Sequence, residues 1–228
     1  MSSFSDPQSV ARYSEGPAKL VPGFHALHRM TALLLAERVP EEGRVLVLGA
    51  GGGLELKVFA EAQPGWRLLG IDPSAQMLQL AQDTLGPLAS RVELLEGYID
   101  TAPAIEFDGA TCLLTLHFLS AEQRLHTLAE LRRRLKPGAP LIVAHHSFPQ
   151  TREEKSRWLH RYAAFAVSSG IAREDAMRAI DAMDTRLPLL SPEQDVALLR
   201  EAEFETIELF YAAFTFKGWI AHAPSQPA

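Results

Sequence analysis

The sequence predicts an α/β fold in which helices cover both faces of a mostly parallel sheet. An apolar run at residues 45–48 leads directly into the glycine cluster 49–53, and a helical pattern follows. A second apolar run then stops at Asp72, where another helical pattern begins. Such alternation requires crossover connections and gives a doubly wound sheet, whose ligand site lies at the carboxyl edge of the strands.

The remaining strands are predicted from shorter apolar runs. A third strand spans 91–96, a fourth begins at Phe107, and a fifth spans 141–144. Two further strands, at 205–210 and 213–220, follow a helix that begins at Ser191-Pro192. Ser74 and Ser120 are predicted N-caps of the helices after strands two and four.

The glycine cluster restricts the kind of ligand. A dinucleotide fingerprint would place its third glycine at Leu54, and no Lys-Ser/Thr pair forms a phosphate-binding loop. A Gly49-x-Gly51-x-Gly53 turn with Asp72 downstream suits an adenosine ligand without a pyrophosphate, since the carboxylate accepts bonds from both ribose hydroxyls. The alternative is that the glycines merely form a tight turn between strand and helix.

At these positions the chain resembles the class I S-adenosylmethionine-dependent methyltransferases. The resemblance covers roughly residues 20 to 148 and rests on four motifs in the family's order: Gly49-x-Gly51-x-Gly53, Ile71-Asp72-Pro73, Gly97-Tyr98-Ile99 and Leu135-Lys136-Pro137-Gly138. It implies a Rossmann-like, seven-stranded, mostly parallel sheet with an antiparallel last strand. The cofactor implied is S-adenosyl-L-methionine.

The chain is predicted to divide into four segments. Residues 1–40 form an N-terminal arm and helix, 41–149 the cofactor-binding core, and 191–228 the C-terminal helix with the closing strands. Between them, 150–190 has helical periodicity where a minimal methyltransferase has only one crossover helix. We interpret this segment as a helical insertion after strand five that covers the substrate.

The resemblance also implies the cofactor contacts, residue by residue. They are Tyr13, Phe24, His28, Gly49, Ala50, Gly51, Gly53, Asp72, Pro73, Met77, Tyr98, Ile99, Leu114 and Thr115. For Tyr13, an exposed position on the arm is an equal alternative. Glu55 either reaches the amino group of the methionine portion or is a solvated residue of the first helical turn.

The layout is most similar to the carboxy-S-adenosylmethionine synthase branch, which implies a possible homodimer. That branch has a tyrosine at Phe24, an asparagine at Leu113 and, at Leu198, the arginine that grips the extra carboxylate. Since an unpaired buried carboxylate is costly, synthesis of the carboxylated cofactor is not expected. The family's acid on strand one is replaced by Val47.

Catalytic residues are harder to predict, because transfer of a methyl group from a sulfonium needs alignment and exclusion of water more than acid–base chemistry. His117, His145 and His146 are candidate general bases near the ligand edge; packing or surface roles are the alternative. No metal site is expected, because adjacent histidines on a strand point to opposite faces. Tyr211 and Phe214 line an acceptor pocket or belong to the core.

Composition narrows the function further. The net charge of -6 disfavours a large nucleic-acid interface, and Cys112, the single cysteine, is expected to be a buried apolar residue. No apolar run reaches membrane-spanning length, so a cytoplasmic protein is expected. We predict a methyltransferase that acts on a small-molecule acceptor. The alternatives are a non-catalytic cofactor-binding protein and a tRNA-modification enzyme similar to the synthase branch.

Overall fold

Within residues 16–225, which the computed structural model describes, seven strands form one sheet in the order β3-β2-β1-β4-β5-β7-β6. They are β1 (Arg44–Leu48), β2 (Arg67–Asp72), β3 (Val92–Glu96), β4 (Gly109–Leu113), β5 (Pro140–His146), β6 (Glu205–Ala213) and β7 (Phe216–His222). Strands β1 to β5 pair in parallel, and β7 runs antiparallel to β5 and β6. The predicted Rossmann-like sheet is therefore confirmed.

Helices flank the sheet on both faces. In the described range they are α1 (Gly16–Leu20), α2 (Phe24–Ala36), α3 (Leu54–Ala62), α4 (Ala75–Leu85), α5 (Ala121–Arg133), α6 (Arg152–Ser168), α7 (Arg173–Arg186) and α8 (Pro192–Glu201). Short 3₁₀ turns occur at Gly86–Arg91, Ile99–Thr101 and Leu116–Phe118. None of these helices has the length and apolar character needed to span a membrane.

Three helices begin at the serines that the sequence indicates. The hydroxyl oxygens of Ser74, Ser120 and Ser191 accept the backbone N–H groups of residues 77, 123 and 194. Each bond satisfies a donor that has no partner inside the helix, and this determines where the helix starts. These starts are confirmed, and they place the carboxyl ends of β2 and β4 beside helix N-termini.

The sheet separates two buried cores. Val45 and Val47 of β1 pack into a core with α2 and α3, whereas Leu46 and Leu48 pack into the opposite core with α5 and α8. Because both faces of β1 are covered, its sequence is a continuous apolar run rather than an alternating one. Cys112 on β4 is buried, as predicted.

The helices after β5 extend the first of these cores. The ring of Tyr162 on α6 packs 5.4 Å from that of His146, and Ile180 and Met183 of α7 are buried in the same cluster as α2. The insertion thus shares its core with one face of the sheet. The boundaries of the four predicted segments stay a prediction.

The last strands depart from the sequence-based bounds. Strand β5 runs on through His145 and His146 because both continue to pair with β7. Strand β6 extends to Ala213, and the turn falls at Phe214 and Thr215 rather than just before Ala213. Register shifts in the β6–β7 ladder break the regular alternation from which the boundary was predicted.

Candidate functional site

A cavity of about 1330 Å³ lies at the carboxyl edge of the sheet, where β1, β2 and β4 end. Most of the predicted contact residues line it: Phe24, His28, Gly49, Ala50, Gly51, Asp72, Pro73, Met77, Tyr98, Ile99, Leu114 and Thr115. Gly53 does not line it, and Tyr13 lies outside the described residues. The topology thus brings together residues that are far apart in the chain.

The turn after β1 folds back on β2. The backbone N–H groups of Gly49 and Ala50 both donate to the carbonyl oxygen of Ile71, at 2.8 and 2.9 Å. Gly49 has a φ of 78°, and a Cβ atom there would lie 2.0 Å from Oγ1 of Thr115. The backbone and the Thr115 side chain therefore occupy the space that any larger residue would need.

Replacement of Gly49 by alanine is expected to lower the free energy of unfolding by about 2–3 kcal/mol, since it adds backbone strain and a steric clash. Urea denaturation followed by circular dichroism measures this change. Combining it with Thr115→Ala should recover part of the loss, because the closest clash, with Oγ1, disappears while the 2.9 Å approach to the Cβ atom and the backbone strain persist. No recovery would contradict the steric explanation.

Gly53 has a different role from the one predicted. It has a φ of 80° at the N-terminus of α3, and a Cβ atom there would lie 2.8 Å from the Cα atom of Ala81 on α4. Close packing between two helices, rather than approach to a ligand, explains this glycine. The sequence pattern does not distinguish these two reasons for a glycine.

Asp72 joins the glycine turn to the helix that follows β2. Its Oδ2 accepts the N–H of Gly51 at 3.0 Å, and its Oδ1 accepts the N–H of Ser74 at 2.9 Å. Burial raises the pKa of the carboxyl group, while these two backbone bonds oppose that shift. The carboxylate is held at the cavity wall with further lone pairs that can accept hydroxyl donors.

Leu114 carries backbone strain at the end of β4. It has a φ of 56°, which is rare for a leucine, and its N–H donates to the carbonyl oxygen of Ala144 at 2.5 Å. Leu114 lines the cavity together with Tyr98, which is 64% exposed, and Ile99. These three residues contribute apolar surface to the cavity.

Glu55 is neither solvated nor remote from the site. It is 6% exposed, lines the cavity, and its Oε1 accepts the hydroxyl proton of Thr111 at 2.5 Å. Burial raises its pKa to about 8, against the effect of the Thr111 hydrogen bond. Of the two alternatives for Glu55, the solvated first-turn glutamate was therefore wrong, and a contact with the methionine portion stays a prediction.

The three candidate bases do not line the cavity. His146 has its Nδ1 2.9 Å from Oγ1 of Thr215, and its ring stacks on Phe216. His145 points the other way, with Nε2 3.2 Å from Oδ1 of Asp195. The two rings thus lie on opposite faces of the sheet, and in the described range no cluster of three metal-ligating side chains occurs.

Burial also disfavours protonation of His117 and His146. It lowers the pKa of His146 to about 3, and it holds the pKa of His117 well below its usual value, with additional repulsion from His146, His145 and Arg124. The backbone N–H of His146 approaches Nδ1 of His117 at 3.5 Å. Their environments favour a packing role, while their catalytic role stays a prediction.

His28 of α2 lines the cavity. It is buried on α2, its ring 4.4 Å from that of Phe24. Burial, with a smaller contribution from His25, lowers its pKa to about 4. The imidazole is therefore neutral near pH 7 and has both a donor and an acceptor nitrogen.

Tyr211 and Phe214 lie away from the cavity wall. The Tyr211 hydroxyl donates to the carbonyl oxygen of Pro22, and its ring is buried. Phe214 is partly exposed and contacts Phe165 of α6. Packing, rather than an acceptor pocket, accounts for both aromatic residues.

The outer wall contains residues that the sequence did not indicate. They are Phe118, Leu119, Glu122, Gln123 and His126 near α5, together with Arg186 at the end of α7. Nε2 of His126 lies 2.9 Å from Oδ1 of Asp100, which ties α5 to the loop after β3. No local motif marks these positions, because only the fold brings α5 and α7 to one rim.

The central part of the chain matches a known protein family. Residues 45–138 match the family described as "Methyltransferase domain". The carboxy-S-adenosyl-L-methionine synthase of Wolinella succinogenes is 27% identical over 220 residues, which cover 95% of this chain and 91% of the relative. The enzyme of the same name from Trichodesmium erythraeum is 26% identical over 183 residues, with coverages of 78% and 72%.

Solved structures share the fold at lower identity. A putative O-methyltransferase from Nostoc punctiforme superposes with a TM-score of 0.69 at 17% identity, covering 94% of this chain and 59% of that one. The S-adenosylmethionine-dependent methyltransferase SibL gives 0.61 at 20% identity, with coverages of 89% and 57%. The chain thus spans less than two thirds of the length of these two methyltransferases.

Proposed function

We propose that the chain is a class I S-adenosylmethionine-dependent methyltransferase, which transfers a methyl group from that cofactor to a small-molecule acceptor. When bound, S-adenosylmethionine supplies an electrophilic methyl group on its sulfonium. The observation that supports the proposal is that the glycine turn, Asp72 and the residues of the outer wall all line one cavity.

The cavity residues at the ends of β1, β2 and β4 fit the cofactor. Asp72 accepts hydrogen bonds from the ribose hydroxyls, and Gly51, which lines the cavity with a φ of 50°, lets the backbone approach the methionine portion without a side chain between them. Tyr98 and Leu114 lie where the adenine ring requires apolar surfaces. These assignments are part of the proposal.

The size of the cavity supports a second reactant. Sites for one drug-sized ligand measure about 300–1,000 Å³, whereas this cavity measures about 1330 Å³. We assign the additional volume to the side of the cavity that Phe118, Leu119 and Arg186 line. It suits a small acceptor held in line with the sulfonium, from which water is displaced.

Arg186 suggests the chemistry of that acceptor. Within the described part of the chain it is the only arginine or lysine on the cavity wall. A guanidinium group pairs with a carboxylate through two parallel hydrogen bonds. We therefore propose an acceptor that carries a carboxylate.

Arg186→Ala is expected to raise the KM for a carboxylate-bearing acceptor about tenfold or more, as loss of a charge-assisted hydrogen bond costs about 1.5–3 kcal/mol. The affinity for S-adenosylhomocysteine should stay within about twofold. Arg178→Ala, on the same helix but paired with Asp175, is the matched control. An equal loss for an acid and its primary amide would contradict carboxylate recognition.

The activity is tested by measuring S-adenosylhomocysteine release across a panel of small acids, phenols, amines and thiols. Turnover with one of these classes supports the proposal. Binding of cofactor without turnover favours the non-catalytic alternative, and salt-dependent tRNA binding favours the RNA alternative.

Synthesis of a carboxylated cofactor is the second candidate, because two curated relatives with this name cover most of the chain. Leu198, which the resemblance predicts to stand in place of its carboxylate-binding arginine, packs against the core that contains Leu199 and Phe204. Mass spectrometry of the bound cofactor after expression distinguishes the candidates, since only the synthase yields a cofactor with an added carboxylate.

We also propose that the chain forms a homodimer. Strand β6 lies at the edge of the sheet, and Leu209 and Phe214 beside it are 56% and 42% exposed. An edge strand with exposed apolar side chains is a ready surface for a second copy. Light scattering during gel filtration measures the mass in solution, and a monomer at micromolar concentration would refute the proposal.

A further inference from the structure

Glu55 is a buried carboxyl group for which the fold provides no cation. It lies in the first turn of α3, and the Thr111 hydroxyl is the hydrogen-bond partner that the structure shows. No arginine, lysine or histidine in residues 16–225 forms an ion pair with it. Placing a carboxyl group in a protein interior without a partner of opposite charge is costly. The position of Glu55 at the cavity therefore indicates a ligand that provides this charge.

The strand register shows where this carboxyl group lies. Thr111 on β4 is directly paired with Val47 on β1, and side chains at paired positions of neighbouring strands point to the same face. The α3 helix covers that face, since Val47 and Leu56 share one core. The Glu55 carboxyl group therefore lies beside Val47, at the position where related methyltransferases carry an acid on the strand itself.

The location beside the glycine turn defines what the carboxyl group would meet. Glu55, Ala50 and Gly51 all line the cavity, and α3, which carries Glu55, begins directly after the glycine turn. In the proposed function the glycine turn receives the methionine portion of the cofactor, whose α-amino group is a cation below about pH 7.7–8.0. An ammonium group would provide the opposite charge that the protein itself does not provide.

We propose that Glu55, delivered from the helix instead of the strand, binds the α-ammonium group of the cofactor, and that its carboxyl proton passes to solvent when the cofactor binds. The inference rests on the proposed function and specifies the cofactor subsite. The balance is simple: one O–H bond of the acid breaks, and one ion pair forms between the carboxylate and the ammonium group.

Other titratable groups near Glu55 do not account for such a proton. On α2, burial lowers the pKa of His28 to about 4, so this ring is already neutral at pH 7. On β4, burial and Glu55 raise the pKa of Cys112 far above neutrality, so the thiol stays protonated. Asp72 at the end of β2 also has a raised pKa, and the experiment must separate it from Glu55.

The experiment is isothermal titration calorimetry of the full chain with S-adenosylhomocysteine at pH 7, in buffers of different ionisation enthalpy. The dependence of the observed enthalpy on the buffer gives the number of protons released. We expect close to one proton for the unaltered chain and close to none for Glu55→Gln, with at least tenfold weaker binding. Glu61→Gln, an exposed position on the same helix, should behave like the unaltered chain.

A cofactor analogue that lacks the α-amino group separates the possible failures. It should bind without releasing a proton, and Glu55→Gln should not weaken it further. If the unaltered chain binds no S-adenosylhomocysteine, the proposed function itself is wrong. If it binds but Glu55→Gln still releases the proton, Asp72 or another group is the source and this inference is overturned. Thermal melting confirms that the glutamine variant is folded.

Discussion

Asp72→Ala is expected to weaken binding of S-adenosylhomocysteine about a hundredfold or more. A hydrogen bond to a charged group contributes about 1.5–3 kcal/mol, and two ribose hydroxyls would lose their acceptor. The substitution also removes the acceptor of the hydrogen bonds that the N–H groups of Gly51 and Ser74 donate, at 3.0 and 2.9 Å. The glycine turn and the start of α4 would therefore lose the hydrogen-bond acceptor that connects them.

Calorimetric titration measures the loss of affinity for S-adenosylhomocysteine in Asp72→Ala. The variant Asp72→Asn tests how much of this loss comes from each carboxylate oxygen. The asparagine keeps one acceptor oxygen, but its NH₂ group faces a backbone donor, so its affinity should fall between those of the aspartate and the alanine. Asp83→Ala, an exposed position on α4 whose carboxylate contacts Gln79, is the control and should bind normally. Unchanged affinity in Asp72→Ala would exclude a ribose anchor at this strand end.

The sequence was sufficient for the architecture because the relevant signals are local. The apolar run of β1 indicated a strand covered on both faces, and serine caps indicated where helices begin. The position of Asp72 followed from the same logic, since the ends of neighbouring parallel strands meet at one edge of the sheet. These features depend on residues adjacent in the chain.

The residues that the sequence did not reveal depend on contacts between distant elements. Arg124 lies in a helix with many polar residues, yet it is 0% exposed because α8 brings Asp195 against it. Glu55 has the spacing of a solvated first-turn glutamate, and only the position of Thr111 across the sheet explains its burial. The strained backbone of Leu114 has no sequence signal, because a leucine is not expected at a positive φ.

The three candidate catalytic histidines show a different limit of sequence-based prediction. His117 follows β4, and His145 and His146 are the last residues of β5, but proximity to a strand end does not tell whether a ring points into the cavity or into a core. His146 turns to Thr215 and Phe216, which are supplied by the closing strands. The neutral imidazole that does line the cavity belongs to His28 on α2.

Asp195→Ala is expected to lower the free energy of unfolding by about 3–5 kcal/mol, the cost of leaving a buried charge without its partner. Nη1 of Arg124 donates to Oδ1 of Asp195, and both side chains are almost fully buried. Arg124 Nη2 also donates to the carbonyl oxygens of Pro188 at 3.1 Å and Leu119 at 3.4 Å. This ion pair therefore connects the loop after Arg186 to the rim of the cavity.

The pH dependence of stability gives an independent test of this ion pair. Burial raises the pKa of Asp195, but His145 and Arg124 outweigh it and hold the pKa below its ordinary value of 3.8. The stabilisation is therefore present above the pKa of the unfolded chain and is lost as the pH falls through the lower pKa of the folded chain. Urea midpoints measured from pH 7 down to pH 3 should fall more steeply for the unaltered chain than for Asp195→Ala.

Two further variants separate charge from packing in this experiment. The double change Arg124→Met and Asp195→Leu removes both charges and should cost less than Asp195→Ala alone, because no unpaired charge is left in the core. Asp184→Ala breaks an ion pair with Lys155 in which the aspartate is 54% exposed, and should cost less than about 1 kcal/mol. If Asp195→Ala costs no more than Asp184→Ala, the buried ion pair does not hold the rim, and Arg186 must be positioned by the packing of α7 alone.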